Sequence, residues 1–186
     1  MMTSSKEAIL AAARQSAQAH GYGGLNFRDL ADEVGIKAAS IYHHFPSKAD
    51  LGVAVARRYW EDTKEDLYNL AQADDPLSAL RQYPGIFRRS LESANKLCLC
   101  SFMSAEYDDL PEPVKKEVQT FADVNVAWLS EVLTAAGVVS RNKSEERARA
   151  IFAAVAGAQL MARSRSDISL FDTLIESYRA TGLLPA

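Results

Sequence analysis

Signals that begin α-helices recur along the whole of this 186-residue chain, and no segment alternates apolar and polar residues for long enough to predict a strand. Six of these helix starts are marked by a short polar side chain that can cap free backbone N–H groups, at Ser4 with Glu7, Asn26, Ser47 with Asp50, Asp75-Pro76, Asn142 with Glu145, and Ser166 or Asp167. The pattern predicts an all-α fold of about nine helices, one of them running from about 75 to 94 with a kink near Pro84.

The composition narrows the class of protein. Hydrophobic residues make up 48% and charged residues 24% of the chain, which is ordinary for a globular protein and excludes wholesale disorder. The net charge of −3 argues against a general polyanion binder, so any contact with nucleic acid depends on locally placed cations. Two cysteines cannot make a disulfide framework, and no apolar signal segment or membrane span is evident. We therefore expect an intracellular, cytoplasmic protein that does not enter the membrane.

A helix-turn-helix is predicted over the segment from about 27 to 46. Ala31 lies four residues before Gly35, where a small side chain lets two helices cross closely, and Gly35 permits the backbone to reverse. Ile41, six residues after Gly35, is expected to fill the angle between the helices. An ordinary helical hairpin would share this pattern. Two helices this short are marginal alone, which favours a motif that presents its second helix to DNA.

The second helix of this motif has an inward and an outward face. Ala38, Ile41 and Phe45 follow the helical period and form the inward stripe. The outward residues, together with cations at the ends of the motif, are the candidate DNA contacts: Arg28, Lys37, Ala39, Ser40, Tyr42, His43, His44 and Lys48.

The candidate contacts have distinct expected roles. The Ala39 methyl can touch a thymine methyl, and Ser40 can hydrogen-bond a base edge or a phosphate. Tyr42 and Lys48 lie where phosphates would run, and Arg28 can hold a phosphate or reach a guanine. The alternatives are a half-buried ring for the tyrosine and a solvated polar pair for the adjacent histidines. Neighbouring helical side chains point about 100° apart, so the histidines are a poor metal site.

The segment from Lys6 to Leu51 resembles the N-terminal domain of the TetR family of bacterial transcriptional regulators. The most specific matching run is Ser40 to Leu51, and Phe27 to Ala31 and Val34 to Ile36 also follow the family's pattern. The resemblance implies a DNA-binding domain over 4–64 and a helical ligand-binding and dimerisation domain over 65–186. It also implies a homodimer that binds a near-palindromic double-stranded DNA operator and is released by a small-molecule inducer.

The chain departs from the family's pattern in three places. Ser16-Ala17 stands where the family often has a larger Leu-Phe pair, so the first helix must pack through smaller side chains. Ala38-Ala39 replaces a common Lys-Gly, which removes one possible DNA cation. The basic N-terminal arm of some members is also missing. The last two departures reduce the expected non-specific affinity for DNA and leave the fold unaffected.

The last two predicted helices carry the candidate dimer interface, because the resemblance implies a four-helix contact between subunits there. Small side chains that repeat every four residues let a partner helix approach closely, although they can also serve packing inside one subunit. The candidate interface residues are Ala150, Ala154, Gly157, Ala158, Phe171 and Leu174.

The inducer pocket is expected among aromatic and sulfur-containing side chains, each of which could instead be plain core. The candidates are Tyr59, Trp60, Tyr83, Phe87, Cys98, Phe102, Met103, Phe121, Trp128 and Met161.

The Cys98-Leu99-Cys100 run is similar to a subset of the family with cysteine at the start of the sixth helix. In some of that subset the thiol reacts with electrophiles, and a helix N-terminus can lower a thiol pKa. The alternative is two buried, inert small side chains.

No sequence pattern of a Walker loop, a zinc protease or a serine hydrolase occurs, so no enzymatic activity, cofactor or metal site is predicted. The chain is predicted to be a sequence-specific DNA-binding transcriptional regulator, a repressor released from its operator by an inducer. The alternative is a helical small-molecule-binding or thiol-redox protein with a vestigial helix-turn-helix.

Overall fold

The computed structural model of the chain describes residues 5–73 and 75–186, which form ten α-helices and two single-turn 3-10 helices without any strand. The α-helices are α1 Ser5–His20, α2 Phe27–Val34, α3 Ala38–His44, α4 Lys48–Ala73, α5 Pro76–Gln82, α6 Pro84–Glu92, α7 Leu99–Ala105, α8 Glu112–Ala135, α9 Arg141–Arg165 and α10 Ile168–Ala180. The 3-10 turns are Tyr22–Gly24 and Tyr107–Asp109. The predicted all-α class is confirmed, and none of the helices in the described part of the chain has the length and apolar character needed to span a membrane.

The expected kinked helix from about 75 to 94 is two helices. Helix α5 ends at Gln82 and α6 begins at Pro84, with Tyr83 acting as the cap of both. Proline has no N–H to donate back into the preceding turn, so the hydrogen-bond ladder is interrupted at this residue.

Several predicted helix ends are observed. The Asn26 side chain accepts from the backbone N–H of Arg28 and of Asp29, and Ser47 Oγ accepts from Asp50 N at 3.1 Å. Asp75 caps α5 and Asp167 caps α10 in the same way. The capping box predicted at Ser4 lies outside the described residues.

The start of α9 differs from the prediction. Ser140, not Asn142, is the N-cap residue, and neither side chain caps a backbone N–H there because Ser140 Oγ donates to Asn142 Oδ1 at 2.6 Å. The prediction failed because both residues are short polar side chains within two positions of each other.

The chain divides into two compact units. The first extends to Trp60 and includes Cys98–Gln119, and the second comprises Glu61–Leu97 and Thr120–Ala186. The buried core of the first unit is apolar and includes Ile9, Leu30, Ile41, Leu51 and Leu99. Each fully buried aliphatic side chain stabilises the fold by about 1.5–3 kcal/mol through its removal from water. The core of the second unit includes Leu80, Tyr83, Phe87, Leu129 and Ile151. The domain boundary expected near residue 64 stays a prediction.

Candidate nucleic-acid interface

Helices α2 and α3 form the predicted helix-turn-helix. Gly35 ends α2 in the left-handed conformation with φ 75°, and the following N–H of Ile36 donates to the Ala31 carbonyl at 2.9 Å. A Cβ placed on Gly35 would meet no other atom within 4 Å, so glycine is favoured there by the backbone angle and not by lack of space. Ala31 and Ile41 are buried, as the crossing of the two helices requires.

Helix α3 has the two faces that the sequence predicts. Ile41 and Phe45 are buried, while Ala38 is half-buried at the start of the helix. The candidate DNA contacts on or beside this helix all retain solvent access, with Lys37, Ala39, Tyr42 and His43 exposed and Ser40, His44 and Lys48 half-buried. Helix α3 therefore presents a continuous accessible face, and the role of each side chain in DNA contact stays a prediction.

A groove of about 480 Å³ opens beside this face. It is lined by Gly23, Leu25, Asn26, Phe27, Arg28, Ala38, Tyr42 and Lys48. Arg28, Tyr42 and Lys48 are three of the predicted DNA contacts, brought together from α2, α3 and α4. The other predicted contacts lie outside this lining.

Two cations and no carboxylate are among the described residues that line the groove. The acidic side chains of α2, at Asp29, Asp32 and Glu33, are exposed but do not line it. The groove lining therefore carries two positive charges, Arg28 and Lys48, although the chain as a whole carries −3. Local concentration of this kind is what a protein of low overall charge needs in order to hold phosphate.

Contacts between aromatic rings and cations fix side chains of the groove. The Tyr42 and Phe27 rings are 4.6 Å apart, and Lys48 Nζ lies 4.6 Å from the centre of the Tyr22 ring. A cation held over an aromatic face is attracted by the negative charge of that face. The lysine is therefore directed by Tyr22, a residue that sequence reasoning did not assign to the site.

The turn between α1 and α2 is a second feature that sequence reasoning missed. Ser16 Oγ donates to the Gly24 carbonyl at 2.7 Å, and the Tyr22 backbone N–H donates to Glu106 Oε2 at 2.7 Å. The small residue at position 16, which departs from the family pattern, was the available signal for the first contact. The second joins residues 84 positions apart, and no local signal announces it.

The candidate pocket residues of the first unit are core side chains in this structure. Tyr59, Cys98 and Met103 are buried, and Trp60 and Phe102 are half-buried. Cys98 precedes α7 as its N-cap residue, but its side chain makes no capping hydrogen bond. The correspondence with a cysteine-containing subset of the family stays a prediction.

Both thiols are buried, and this decides their chemistry. Burial raises the pKa of Cys98, and hydrogen bonding from the Tyr59 hydroxyl offsets only part of that effect. Burial also raises the pKa of Cys100, and the nearby Cys98 and Glu117 charges raise it further. Desolvation therefore outweighs any lowering by the helix N-terminus and favours the protonated thiol over the thiolate at both positions.

A buried carboxylate in the first unit was not predicted. Glu117 Oε1 accepts from Arg57 Nη2 at 2.5 Å, and Glu117 Oε2 accepts from the Trp60 indole N–H at 2.8 Å. Burial alone would raise the pKa of Glu117, but these two hydrogen bonds and the arginine charge outweigh it and lower the pKa. The sequence places these partners nearly 60 positions apart, so only the fold brings them together.

Four of the other candidate pocket residues form an aromatic cluster in the second unit. Tyr83 stacks on Trp128 with ring centres 5.6 Å apart, and Tyr83 also meets Phe87 edge-on. Phe152 joins the cluster by contacting both Phe87 and Phe121. We call these five residues the aromatic cluster.

Buried polar groups lie among these rings. The Tyr83 hydroxyl donates to Asn125 Oδ1 at 3.0 Å, and Gln159 Nε2 donates to the Phe87 carbonyl at 2.6 Å. The Trp128 indole N–H is buried and has no acceptor within residues 5–73 and 75–186. The cluster is therefore largely apolar and contains one buried hydrogen-bond donor, the Trp128 indole N–H, that has no acceptor among the described residues.

The structure places three predicted residues differently from the expectation. Met161, expected in the pocket, is 45% exposed on the surface of α9. Ala158 and Phe171, expected at the dimer interface, are 0% and 1% exposed within a single chain and pack inside the subunit. Between residues 150 and 162, α9 has small or apolar side chains on nearly all sides, and a repeat of alanines does not indicate which side faces the core.

The remaining interface candidates keep some solvent access. Ala150 and Gly157 are exposed, and Ala154 and Leu174 are half-buried. Leu160 and Met161 are large apolar side chains exposed on the same helix. The accessible face of α9 is therefore defined by Ala150, Ala153, Gly157, Leu160 and Met161.

Among the residues that the structure describes, no group of three His, Cys, Asp or Glu side chains could hold a metal ion. The two adjacent histidines of α3 have ring centres 5.4 Å apart and face each other edge-on.

The helix-turn-helix and its groove define the class of protein as one that carries a DNA-binding motif on an otherwise helical chain. The family model described as bacterial regulatory proteins of the tetR family matches residues 9–55. A TetR-family transcriptional regulator from Agrobacterium tumefaciens is 30% identical, with a TM-score of 0.87 over 94% of this chain and 95% of that one. A TetR transcriptional regulator from Legionella pneumophila is 29% identical, with a TM-score of 0.91 over 97% and 98% of the two chains. The chain belongs to the TetR family.

The chain matches curated relatives over a shorter part of its length. This chain is 28% identical to the transcriptional repressor NemR of Escherichia coli over 134 residues, which are 69% of this chain and 66% of NemR. It is 40% identical to the transcriptional repressor AcnR of Corynebacterium glutamicum over 55 residues, which span 29% of that protein. The chain thus spans less than two thirds of the length of these relatives, whose names describe regulators and not enzymes.

Proposed function

We propose that this protein is a sequence-specific DNA-binding transcriptional regulator, a repressor that acts in the cytoplasm and leaves its operator when a small molecule binds. The observation that carries the proposal is the groove in which Arg28, Tyr42 and Lys48 converge beside the accessible face of α3. Membership of the TetR family and the names of the repressors that the chain resembles support it.

Base recognition is assigned to the accessible face of α3. Ala39 is exposed and has no side chain beyond Cβ, so the helix backbone can approach the base edges of the major groove. Ser40 lies next to it and supplies a hydroxyl for a base edge. The exposed Lys37 and His43 extend the same face at its two ends.

Phosphate contact is assigned to the groove. Lys48 and Arg28 supply the charge, and the exposed Tyr42 hydroxyl supplies a neutral hydrogen bond. These contacts position the protein on the duplex, whereas α3 determines which sequence is preferred.

A homodimer on a near-palindromic operator is part of the same proposal. One recognition helix of seven residues covers only a few base pairs, so a second copy one helical turn of DNA away, roughly 34 Å, provides the remaining specificity. The accessible face of α9 is the proposed interface, because it exposes Leu160 and Met161 beside the small side chains of Ala153 and Gly157.

The aromatic cluster is the proposed inducer site. Rings that stack on one another can also stack on an inserted flat molecule, and the Trp128 indole N–H offers a hydrogen bond to an acceptor on it. The preferred inducer is therefore a largely apolar or aromatic small molecule with at least one hydrogen-bond acceptor.

The thiol-redox alternative is disfavoured by the buried cysteines. A redox or electrophile-sensing thiol works through its thiolate, which burial disfavours at both Cys98 and Cys100.

Selection of bound duplexes from a random-sequence pool tests the proposal. We expect a near-palindromic sequence to be enriched and to bind with an affinity that falls steeply as salt rises. A screen of small aromatic metabolites on the enriched duplex should then yield a compound that releases the protein. Recovery of no preferred sequence would refute the proposed function.

A further inference from the structure

We propose that Glu106 is a positioning residue for DNA binding, which acts through Tyr22 on the phosphate-binding cation Lys48. This proposal rests on the proposed function, because it assigns a role in operator binding. Glu106 follows the last residue of α7 and is remote in sequence from the helix-turn-helix. The Glu106 carboxylate accepts a hydrogen bond from Tyr22, and Tyr22 is not a predicted DNA contact. Any effect of Glu106 on DNA binding therefore has to pass from Tyr22 to a residue that does contact DNA.

The first step is the contact between Glu106 and the turn before α2. Glu106 Oε2 accepts the backbone N–H of Tyr22 at 2.7 Å, and this N–H begins the 3-10 turn Tyr22–Gly24. An N–H at the start of a helical turn has no partner within the turn, so a carboxylate is a strong acceptor for it.

Gly21 provides the space for this carboxylate. A Cβ on Gly21 would overlap the Glu106 carboxylate, and Gly21 itself has φ 65°. Both the space and the backbone angle therefore favour glycine at this position. The Glu106 carboxylate therefore lies in the space that the absent side chain of Gly21 leaves beside the backbone.

The second step is the Tyr22 ring. Its edge packs so closely on α4 that a Cβ on Gly52 would lie 2.9 Å from it. The ring is therefore held between the turn and α4, and the backbone N–H held by Glu106 belongs to the same residue. A shift of this backbone moves the ring.

The third step is Lys48. Its Nζ lies 4.6 Å from the centre of the Tyr22 ring, and its side chain lines the groove that Arg28 and Tyr42 also line. The ring face directs the ammonium group, so the position of the charge at the groove depends on the ring. Glu106 thereby influences a DNA contact through the ring of Tyr22.

The sign of the effect separates this role from simple electrostatics. Glu106 is an acidic side chain in a DNA-binding unit, and removal of a negative charge by itself strengthens binding to DNA. A positioning role predicts the opposite result, namely weaker binding when Glu106 is truncated.

Three single variants test the proposal on the duplex that the wild type selects. Glu106→Ala should weaken binding about 3- to 10-fold, as expected for the loss of one positioning hydrogen bond, and should lower the slope of log affinity against log salt by up to about one. Glu106→Gln, which keeps an acceptor oxygen, should restore affinity to within about 2-fold of wild type. Asp109→Asn, a matched loss of charge at an exposed residue of the next turn, should bind as well as wild type or slightly better.

The double variant Glu106→Ala with Lys48→Ala identifies the path. Because both changes remove the same contact, it should bind within about 2-fold of Lys48→Ala alone. Independent, multiplying losses would overturn the proposed path. If Glu106→Ala does not fold, Glu106→Asp takes its place, since the shorter side chain withdraws the carboxylate from the Tyr22 N–H.

The outcomes separate this inference from the proposed function. A wild type that retains no duplex overturns both. A wild type that binds while Glu106→Ala binds equally well, with the same salt slope, overturns only the role of Glu106. Weak binding by Glu106→Gln as well as Glu106→Ala, with an unchanged salt slope, also overturns it, because that pattern is a general loss of folded protein.

Discussion

The ring of Tyr42 packs against the ring of Phe27, with centres 4.6 Å apart and planes inclined at 60°. Phe27 is 9% exposed and belongs to the core, whereas Tyr42 is 56% exposed. The contact therefore holds the tyrosine against the core, while more than half of its surface stays exposed beside the groove. An exposed aromatic residue held in this way loses little side-chain entropy when it binds DNA.

Tyr42→Phe should weaken operator binding about 2- to 10-fold, because it removes one neutral hydrogen bond to phosphate and keeps the packing on Phe27. The salt dependence should stay unchanged, since a neutral hydroxyl displaces no counterion. Fluorescence anisotropy over a range of salt concentrations measures both quantities. Unaltered affinity would mean that the hydroxyl does not reach a phosphate.

Lys48→Ala should weaken binding to all DNA sequences and reduce the salt slope by about one, because it removes a cation from the groove that we propose binds phosphate. Lys143→Ala is the matched control, since Lys143 is an exposed lysine of α9 that pairs with Glu146. The control should bind as the wild type does. Equal slopes for Lys48→Ala and the wild type would remove Lys48 from the interface.

Local signals in the sequence predicted the helix-turn-helix well. Asn26 as a cap and Gly35 as a left-handed helix end depend on neighbours within four residues, so that their spacing alone identifies them. The outward residues of α3 follow from the helical period in the same way. These features are the part of the site that residue spacing alone is sufficient to predict.

Long-range partners could not be predicted. Glu106 and Glu117 meet the first unit's other helices across 84 and 57 or more positions, and neither residue has a distinctive local pattern. The burial of the predicted interface residues Ala158 and Phe171 inside the subunit has a different cause. Their helices carry apolar side chains on more than one face, so periodicity did not indicate which face the subunit itself buries.

Both buried thiols should react slowly with alkylating reagents. Because burial raises the pKa of both cysteines, native protein at pH 7 to 8 should react with a thiol alkylator at least about 100-fold more slowly than protein unfolded in urea. Mass spectrometry of timed samples measures the two rates. The alkylator should also leave operator binding of wild type and Cys98→Ser equally unaffected, whereas release of the wild type alone would identify Cys98 as a sensor.

Arginine substitutions at two adjacent residues of α9 should have different effects on folding, because Gly157 is exposed and Ala158 is buried. A Cβ on Gly157 would meet no atom within 4 Å beyond its own turn of helix, so Gly157→Arg should fold normally but separate the proposed dimer into monomers that bind operator poorly. Ala158 is fully buried, and Ala158→Arg should unfold the chain by placing an unpaired charge in the core. Sedimentation and circular dichroism check the pair. A Gly157→Arg protein that remains dimeric would place the interface elsewhere.

Glu117 should make stability depend on pH below neutrality. Its pKa in the folded protein is lower than the ordinary value of 4.5, so its stabilising contribution is complete above about pH 4.5 and is lost as the pH falls through the folded-state pKa. Glu117→Gln should therefore reduce the free energy of unfolding by about 1–2 kcal/mol at pH 7, since it loses the charge-assisted bond from Arg57. The difference from wild type should shrink towards zero as the wild-type carboxylate becomes protonated.

Urea unfolding from pH 3 to pH 7 measures this difference in stability. Glu112→Gln is the control, because it removes an exposed carboxylate paired to Lys115 and should change stability little. Parallel pH profiles for wild type and Glu117→Gln would show that the contacts of Glu117 with Arg57 and Trp60 do not depend on its charge.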